Sequence, residues 1–227
     1  MNFSIDSNII IGLANPKDRL HKKCLILFKD RRHDELFLCS TALKESENNF
    51  KNKINQTIVK LLKEILPIFN NTKMTKFEYQ DKLVQAFKKV KSSNPGISNF
   101  LDLVYDEVVD FLQENNRDAL PTFLAELGER YSQSLFKRLD QHISEEISIL
   151  GLDHEHLSGI KEKTTSVYFK DTNDEKIYRE LMTNLPKLEP VDFYTADREF
   201  AKKINQSYMD CLKYFGYEDG SFSCILL

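Results

Sequence analysis

Tryptophan is missing from all 227 residues. No apolar stretch reaches the roughly 18 residues that a membrane-spanning helix needs. The opening Met1-Asn2-Phe3-Ser4-Ile5-Asp6 has no basic residue ahead of its apolar run, and Asp6 cuts that run; no signal peptide is expected. Cysteine is sparse. Cys24, Cys39, Cys211 and Cys224 are scattered and form no Cys-x-x-Cys pair, which argues against a zinc ribbon and fits free thiols in a reducing cytoplasm. Also absent are a Gly-x-Ser-x-Gly elbow, a Walker phosphate loop and a Gly-x-Gly-x-x-Gly turn, so serine-hydrolase, P-loop and dinucleotide chemistries have no carrier here.

What is present is a globular composition, 41% hydrophobic and 30% charged. The length suits one large domain, or one domain with a sizeable insertion. Net charge is only −3, but it is unevenly spread. From Glu47 to Pro95 ten lysines stand against four acids, and from Asp102 to Glu155 thirteen acids stand against four bases. A basic stretch beside an acidic pocket suits a phosphodiester substrate, because lysines hold the backbone while cations neutralise the reacting phosphate. The plain alternative is a pair of solvated helix faces that neutralise each other.

Periodicity predicts strands at both ends and helices between them. Residues 3–11 read as a strand, Lys17–Lys29 as a helix, and Leu36–Cys39 as a second strand. Ser40-Thr41 can cap a helix that carries Glu45 and runs to Leu66. The middle reads as helical throughout: Phe77–Val90, Ile97–Leu112, and a long stripe from Pro121 to Leu150. Strand character returns at Val191–Thr195 and Ser221–Leu227, with a helix from Asp197 to Met209 between. Alternation of strand and helix at both ends implies an α/β fold on a central parallel sheet, with an all-helical insertion.

Four acids occupy places where such folds do chemistry: Asp6 after the first strand, Glu45 early in the helix after the second, Asp174 at a helix start, and Asp197 after Val191–Thr195. Mg²⁺ and Mn²⁺ are hard ions that take oxygen ligands, and three or four crowded carboxylates would both need and recruit one. Two such ions about 3.5–4 Å apart can activate a water and stabilise a leaving oxygen without any Ser, Cys or His nucleophile.

The segments around these acids resemble the PIN-domain family of nucleases. Asp6-Ser7-Asn8 is similar to the family's opening Asp-x-Asn, and Glu45 matches its acid after the second strand. Asn173-Asp174-Glu175-Lys176-Ile177 resembles its third-acid motif, and Thr195-Ala196-Asp197-Arg198-Glu199-Phe200 its Thr-x-Asp-x-x-Phe segment after the fourth strand. The resemblance covers residues 1–50 and 165–227, leaving 51–164 as the insertion. It implies a three-layer fold with a parallel sheet, an Mg²⁺ or Mn²⁺ site held by Asp6, Glu45, Asp174 and Asp197, and Asn8 and Thr195 orienting those ligands. It also implies hydrolysis of RNA phosphodiesters by a metal-activated water to 5′-phosphate and 3′-hydroxyl ends. The spacing between Glu45 and Asp174 departs from the compact family form. That segment could widen the pocket, bind RNA, or replace a homodimer contact. A non-catalytic scaffold that binds RNA or a protein, and a toxin held by an antitoxin-like partner, are the alternative readings.

Two of the four acids have rivals. Glu47 competes with Glu45, and Asp171 with Asp174, since acids favour helix starts for dipole reasons alone. Asp192 is expected on the solvent face of its strand. Asp153-His154-Glu155-His156 reads as a solvated loop, and His21 and His33 as exposed. Lys44, Lys51, Lys53, Arg198, Lys202 and Lys203 are candidate phosphate contacts or merely solubilising charges.

Overall fold

A computed structural model describes residues 2–16, 18–69, 74–94, 98–114, 117–141, 147–217 and 220–227. Strand β1 (Asn2–Ile5) leads into α1 (Ser7–Ala14) and α2 (His21–Asp30), then β2 (Glu35–Cys39) and the long α3 (Ser40–Phe69). Helices α4 (Lys76–Ser93), α5 (Ser98–Glu114) and α6 (Leu120–Asp140) follow. The chain then forms β3 (Ile147–Leu150), α7 (His154–Lys163), α8 (Thr172–Thr183), α9 (Leu185–Leu188), β4 (Val191–Thr195), α10 (Arg198–Phe215) and β5 (Phe222–Leu226).

The five strands form one sheet in the order β3-β2-β1-β4-β5, and all four pairings are parallel. Helices cover both of its faces. On β4, Phe193 meets Phe200 of α10 with ring centroids 5.9 Å apart. Its neighbour Tyr194 takes hydrogen bonds from Arg31, the residue that ends α2. Successive strand residues point to opposite faces, so α10 and the end of α2 lie on opposite sides of the sheet.

The chain divides into two compact units, Met1–Ser46 with Arg138–Leu227, and Glu47–Lys137. The first holds the sheet. The second is helical, with a core of Phe50, Ile54, Leu61, Phe87, Phe100 and Leu124. Within it Gly128 allows close approach: a Cβ there would lie 2.5 Å from the Ile58 Cδ1 atom.

Several expectations are corrected. The strand expected over 3–11 stops at Ile5, and Asp6 turns the chain into α1. Asp6 is extended, at φ −83° and ψ 163°, and its carboxylate accepts from the Ser7 amide as a helix N-cap does. The β-branched Ile9-Ile10-Ile11 then goes helical, because a helix buries Ile9, Ile10 and Leu13 on one stripe where a strand would split them. The long stripe from Pro121 does not continue to Leu150. Helix α6 ends at Asp140, and Ile147–Leu150 is an edge strand paired with β2. Helical spacing within Ile147-Ser148-Ile149-Leu150 is too short to be told from a strand by periodicity. Strand β3 and helix α7, inside the stretch assigned to the insertion, therefore belong to the sheet-bearing unit. Asp192 is buried, not solvent-facing: it pairs with the Arg31 guanidinium. His21 is half-buried, with Nδ1 2.9 Å from the Gly12 carbonyl oxygen. All four cysteines are free thiols. Among the described residues no helix is long and apolar enough to cross a membrane.

Candidate functional site

Strand order locates the site before any side chain is considered. From β1 the sheet grows one way through β2 and β3, and the other way through β4 and β5. The connections therefore part at the carboxyl ends of β1 and β4, and open parallel sheets bind ligands in the crevice at such a point. Asp6 follows the last residue of β1, and Thr195 is the last residue of β4. The two strand ends are joined by the Asp6 amide donating to the Tyr194 carbonyl oxygen at 3.0 Å.

Asp6 is only 3% exposed and still fully hydrogen-bonded. Its Oδ1 accepts from the Ser7 amide at 2.7 Å. Its Oδ2 accepts from the Asn8 side-chain amide and the Thr195 hydroxyl, each at 2.7 Å. Asn8 Oδ1 in turn accepts from the Ala196 amide at 3.1 Å, and Thr195 Oγ1 accepts from the Asp197 amide at 3.0 Å. Asn8 and Thr195 thus clamp Asp6 to the β4–α10 turn from both sides. Asp197 is the N-cap of α10, with Oδ1 accepting from the Glu199 and Phe200 amides at 2.8 and 3.0 Å. The residue as a whole is exposed.

Glu45 lies in the second turn of α3 and Asp174 in the first turn of α8, both half-exposed. Charge ties the four acids together. Burial pushes the Asp6 carboxyl up to about 6, against the hydrogen bonds from Thr195 and Ser7, and Glu45 and Asp197 push it further the same way. Burial also lifts Asp174 to about 6, with Asp171, Asp6, Asp197 and Glu45 all adding repulsion. No three of the four bring carboxylate oxygens within 4.8 Å of one another. Like charges this close share a site only with a proton or cation between them, and the raised Asp6 and Asp174 carboxyls report burial and, added to it, that repulsion.

The rivals separate cleanly. Asp171 is the N-cap of α8, its Oδ1 accepting from the Asn173 amide at 2.7 Å. Glu47 is exposed and falls in the helical unit. A different trio does converge: Asp153, Glu155 and His156 place ligand atoms within 4.8 Å of one another. They are not in a loop as expected, but at the start of α7, which Asp153 caps by accepting from the Glu155 amide at 3.1 Å. The other oxygen of Asp153 meets Lys187 Nζ at 3.1 Å, and His156 packs edge-on against Phe215. Capping and ion pairing account for Asp153, and ring packing for His156.

Two features escaped the sequence reading. Glu180 is buried on α8, and its carboxylate accepts from Ser40 Oγ at 2.7 Å, the Thr41 amide at 3.0 Å and Thr41 Oγ1 at 2.8 Å. It caps α3 from another helix and so fixes the helix bearing Asp174 against the helix bearing Glu45. A lone acid on an otherwise apolar helix face was its only signal in the sequence. The second is a cleft of about 450 Å³ beside Ala196, walled by Arg19, Lys23 and Arg198 with Leu20 and Leu226, and lined by no acidic side chain. Arg19 and Lys23 come from the segment before β2, which no local pattern connects to Arg198.

No family model, curated protein or solved structure matches the chain.

Proposed function

We propose that the chain is a PIN-type ribonuclease that uses Mg²⁺ or Mn²⁺ to hydrolyse RNA phosphodiesters. The observation that carries this reading is Asp6: a buried carboxylate, raised to about 6, at the point where the connections of the parallel sheet part to either side, and within the field of three further acids. Burying a carboxylate beside other acids costs several kcal/mol unless a cation offsets it. The four acids occur in the chain order of the motifs they resemble.

The donor set fits a hard divalent ion, being oxygen only and partly solvated. Asp6 and Asp174 would be its direct carboxylates, with Glu45 and Asp197 completing the set directly or through water. Asp6 Oδ1 accepts one hydrogen bond and keeps a lone pair for the ion, while Oδ2 is engaged by Asn8 and Thr195. When bound, the ion supplies Lewis acidity and a low-pKa water. The protein's own part is positional. Asn8 and Thr195 hold Asp6 in one rotamer, Glu180 sets the spacing of α3 and α8, and the α10 N-terminus adds a positive dipole end near the phosphate. Arg19, Lys23 and Arg198 hold the backbone of the strand in their cleft by charge and not by sequence.

The test is Mn²⁺ calorimetry on the wild-type chain and on Asp6→Asn/Asp197→Asn, paired with cleavage of a labelled single-stranded RNA. Binding and cleavage that both vanish in the double variant, with the fold intact, support the reading. A folded wild type that binds no Mn²⁺ moves the assignment to a non-catalytic scaffold.

A further inference from the structure

We propose that a second site, built on the side of α8 away from Asp174, binds a phosphomonoester carried on a nucleoside-sized body. Thr172, Lys176 and Arg179 recur at steps of four and three and line one cleft of about 390 Å³. The periodicity of 3.6 residues per turn turns Asp174 to the other side of the same helix. Lys161 of α7 completes a set of three cations around this cleft.

Arg179 is the informative member. Its side chain is only 10% exposed. One terminal nitrogen donates to the Thr164 hydroxyl, and Nε has no partner among the described residues. The guanidinium stands 5.5 Å from the Tyr178 ring. Glu175 is its nearest carboxylate, but at 3.8 Å and half-exposed it makes an ion pair without a hydrogen bond. A buried guanidinium normally spends its five donors on a carboxylate or phosphate. Here it has one neutral hydroxyl and a loose pair.

The acids of the cleft do not fill that need. Glu180 is committed to Ser40 and Thr41, and only Glu175 remains. The missing partner is an anion, and with Lys161, Lys176 and Arg179 all lining the cleft, the three terminal oxygens of a phosphomonoester serve the three cations better than the two of a carboxylate. Leu152 and Leu157 add an apolar wall, so the cleft offers a polar end and an apolar end. Its volume lies at the small end of ligand pockets, enough for one nucleotide and not for a dinucleotide cofactor. The occupant is the phosphate end of a strand or a free nucleotide. This site goes beyond the nuclease reading and stands without it, since no metal and none of the four acids takes part.

The experiment is calorimetry in metal-free buffer with each of the four ribonucleoside 5′-monophosphates, the matching nucleosides, and a short RNA oligomer with and without a 5′-phosphate. Wild type, Asp6→Asn and Lys161→Glu/Lys176→Glu are compared. Both lysines are exposed, so the double variant keeps its fold, which circular dichroism verifies. At least one monophosphate is expected to bind wild type and Asp6→Asn equally, its nucleoside to bind at least tenfold more weakly, and the lysine variant to lose at least tenfold. A 5′-phosphate that tightens oligomer binding, with the gain lost in the lysine variant, assigns the site to a strand end. Equal binding of the two oligomers assigns it to a free nucleotide. Failure of every phosphate probe to bind wild type, equal binding of nucleoside and nucleotide, or undiminished binding in the lysine variant would overturn the proposal. Because Asp6→Asn removes the metal site alone, loss of cleavage there leaves this result independent.

Discussion

Asp6 and Thr195 are 189 positions apart in the chain, and the Thr195 hydroxyl donates to the Asp6 carboxylate at 2.7 Å. The bond spans two adjacent parallel strands at the point where the sheet's connections diverge. Thr195 Oγ1 also receives the Asp197 amide, so one hydroxyl links two of the four acids. If the proposed site is right, stability and metal binding are coupled at this bond, and the coupling gives measurable consequences.

Asp6→Asn is expected to abolish metal-dependent cleavage and to stabilise the metal-free protein at pH 7.5. The sign follows from linkage. The Asp6 carboxyl is raised from 3.8 to about 6 in the fold, so the folded state holds the proton more tightly than the unfolded chain. Stability is therefore greatest below pH 4 and is lost as pH climbs through 6, by about 3 kcal/mol for a rise of this size. Thermal melts should show the variant above wild type at pH 7.5, with the gap closing near pH 4. A wild type whose melting temperature rises from pH 5 to 7.5 would contradict the burial of this acid.

Protons and cations compete for the same carboxylates. Mn²⁺ affinity is therefore expected to climb steeply between pH 5 and 7, as both Asp6 and Asp174 deprotonate near 6. Calorimetry at three pH values reads this directly. Asp153→Asn/His156→Ala serves as the control: it should leave the affinity unchanged, and a lost signal there would shift the metal to the α7 trio.

Thr195→Val removes the hydroxyl while keeping the shape. The variant is expected to lose about 1–3 kcal/mol, because a buried carboxylate and the Asp197 amide each lose a partner. Mn²⁺ affinity should fall about 10–100-fold, the usual cost of removing a group that orients a ligand. Thr195→Ser should restore most of both, which denaturant melts and calorimetry can establish.

Glu180→Ala leaves Ser40 and Thr41 without their shared acceptor. A loss of about 2–4 kcal/mol is expected, since three donors lose a charged partner. Glu45→Gln, on a half-exposed turn of the same helix, should cost less than 1 kcal/mol. Chemical denaturation of the two variants side by side separates a fold-holding acid from a site acid.

Part of the candidate site's hydrogen-bonding was legible before the fold. Asp6, Asn8 and Thr195 were named from short motifs, and the structure gives Asn8 and Thr195 hydrogen bonds to Asp6. The resemblance to a nuclease family and the metal itself remain readings of those motifs. Glu180 was not legible, because its value lies in what it caps on another helix. Nor was the Arg19, Lys23 and Arg198 cleft, whose members come from opposite ends of the chain.

By itself the sequence determined an α/β fold with strands at both ends and a helical middle, because local periodicity and turn residues report burial directly. It determined as well which acids follow strands. Tertiary structure alone decided that Ile9-Ile10-Ile11 is helix and Ile147–Leu150 is strand, since packing partners outweigh the propensity of a short apolar run. It alone set the strand order that brings Asp6 beside Thr195, and the burial that raises Asp6, because both depend on contacts between residues nearly two hundred positions apart.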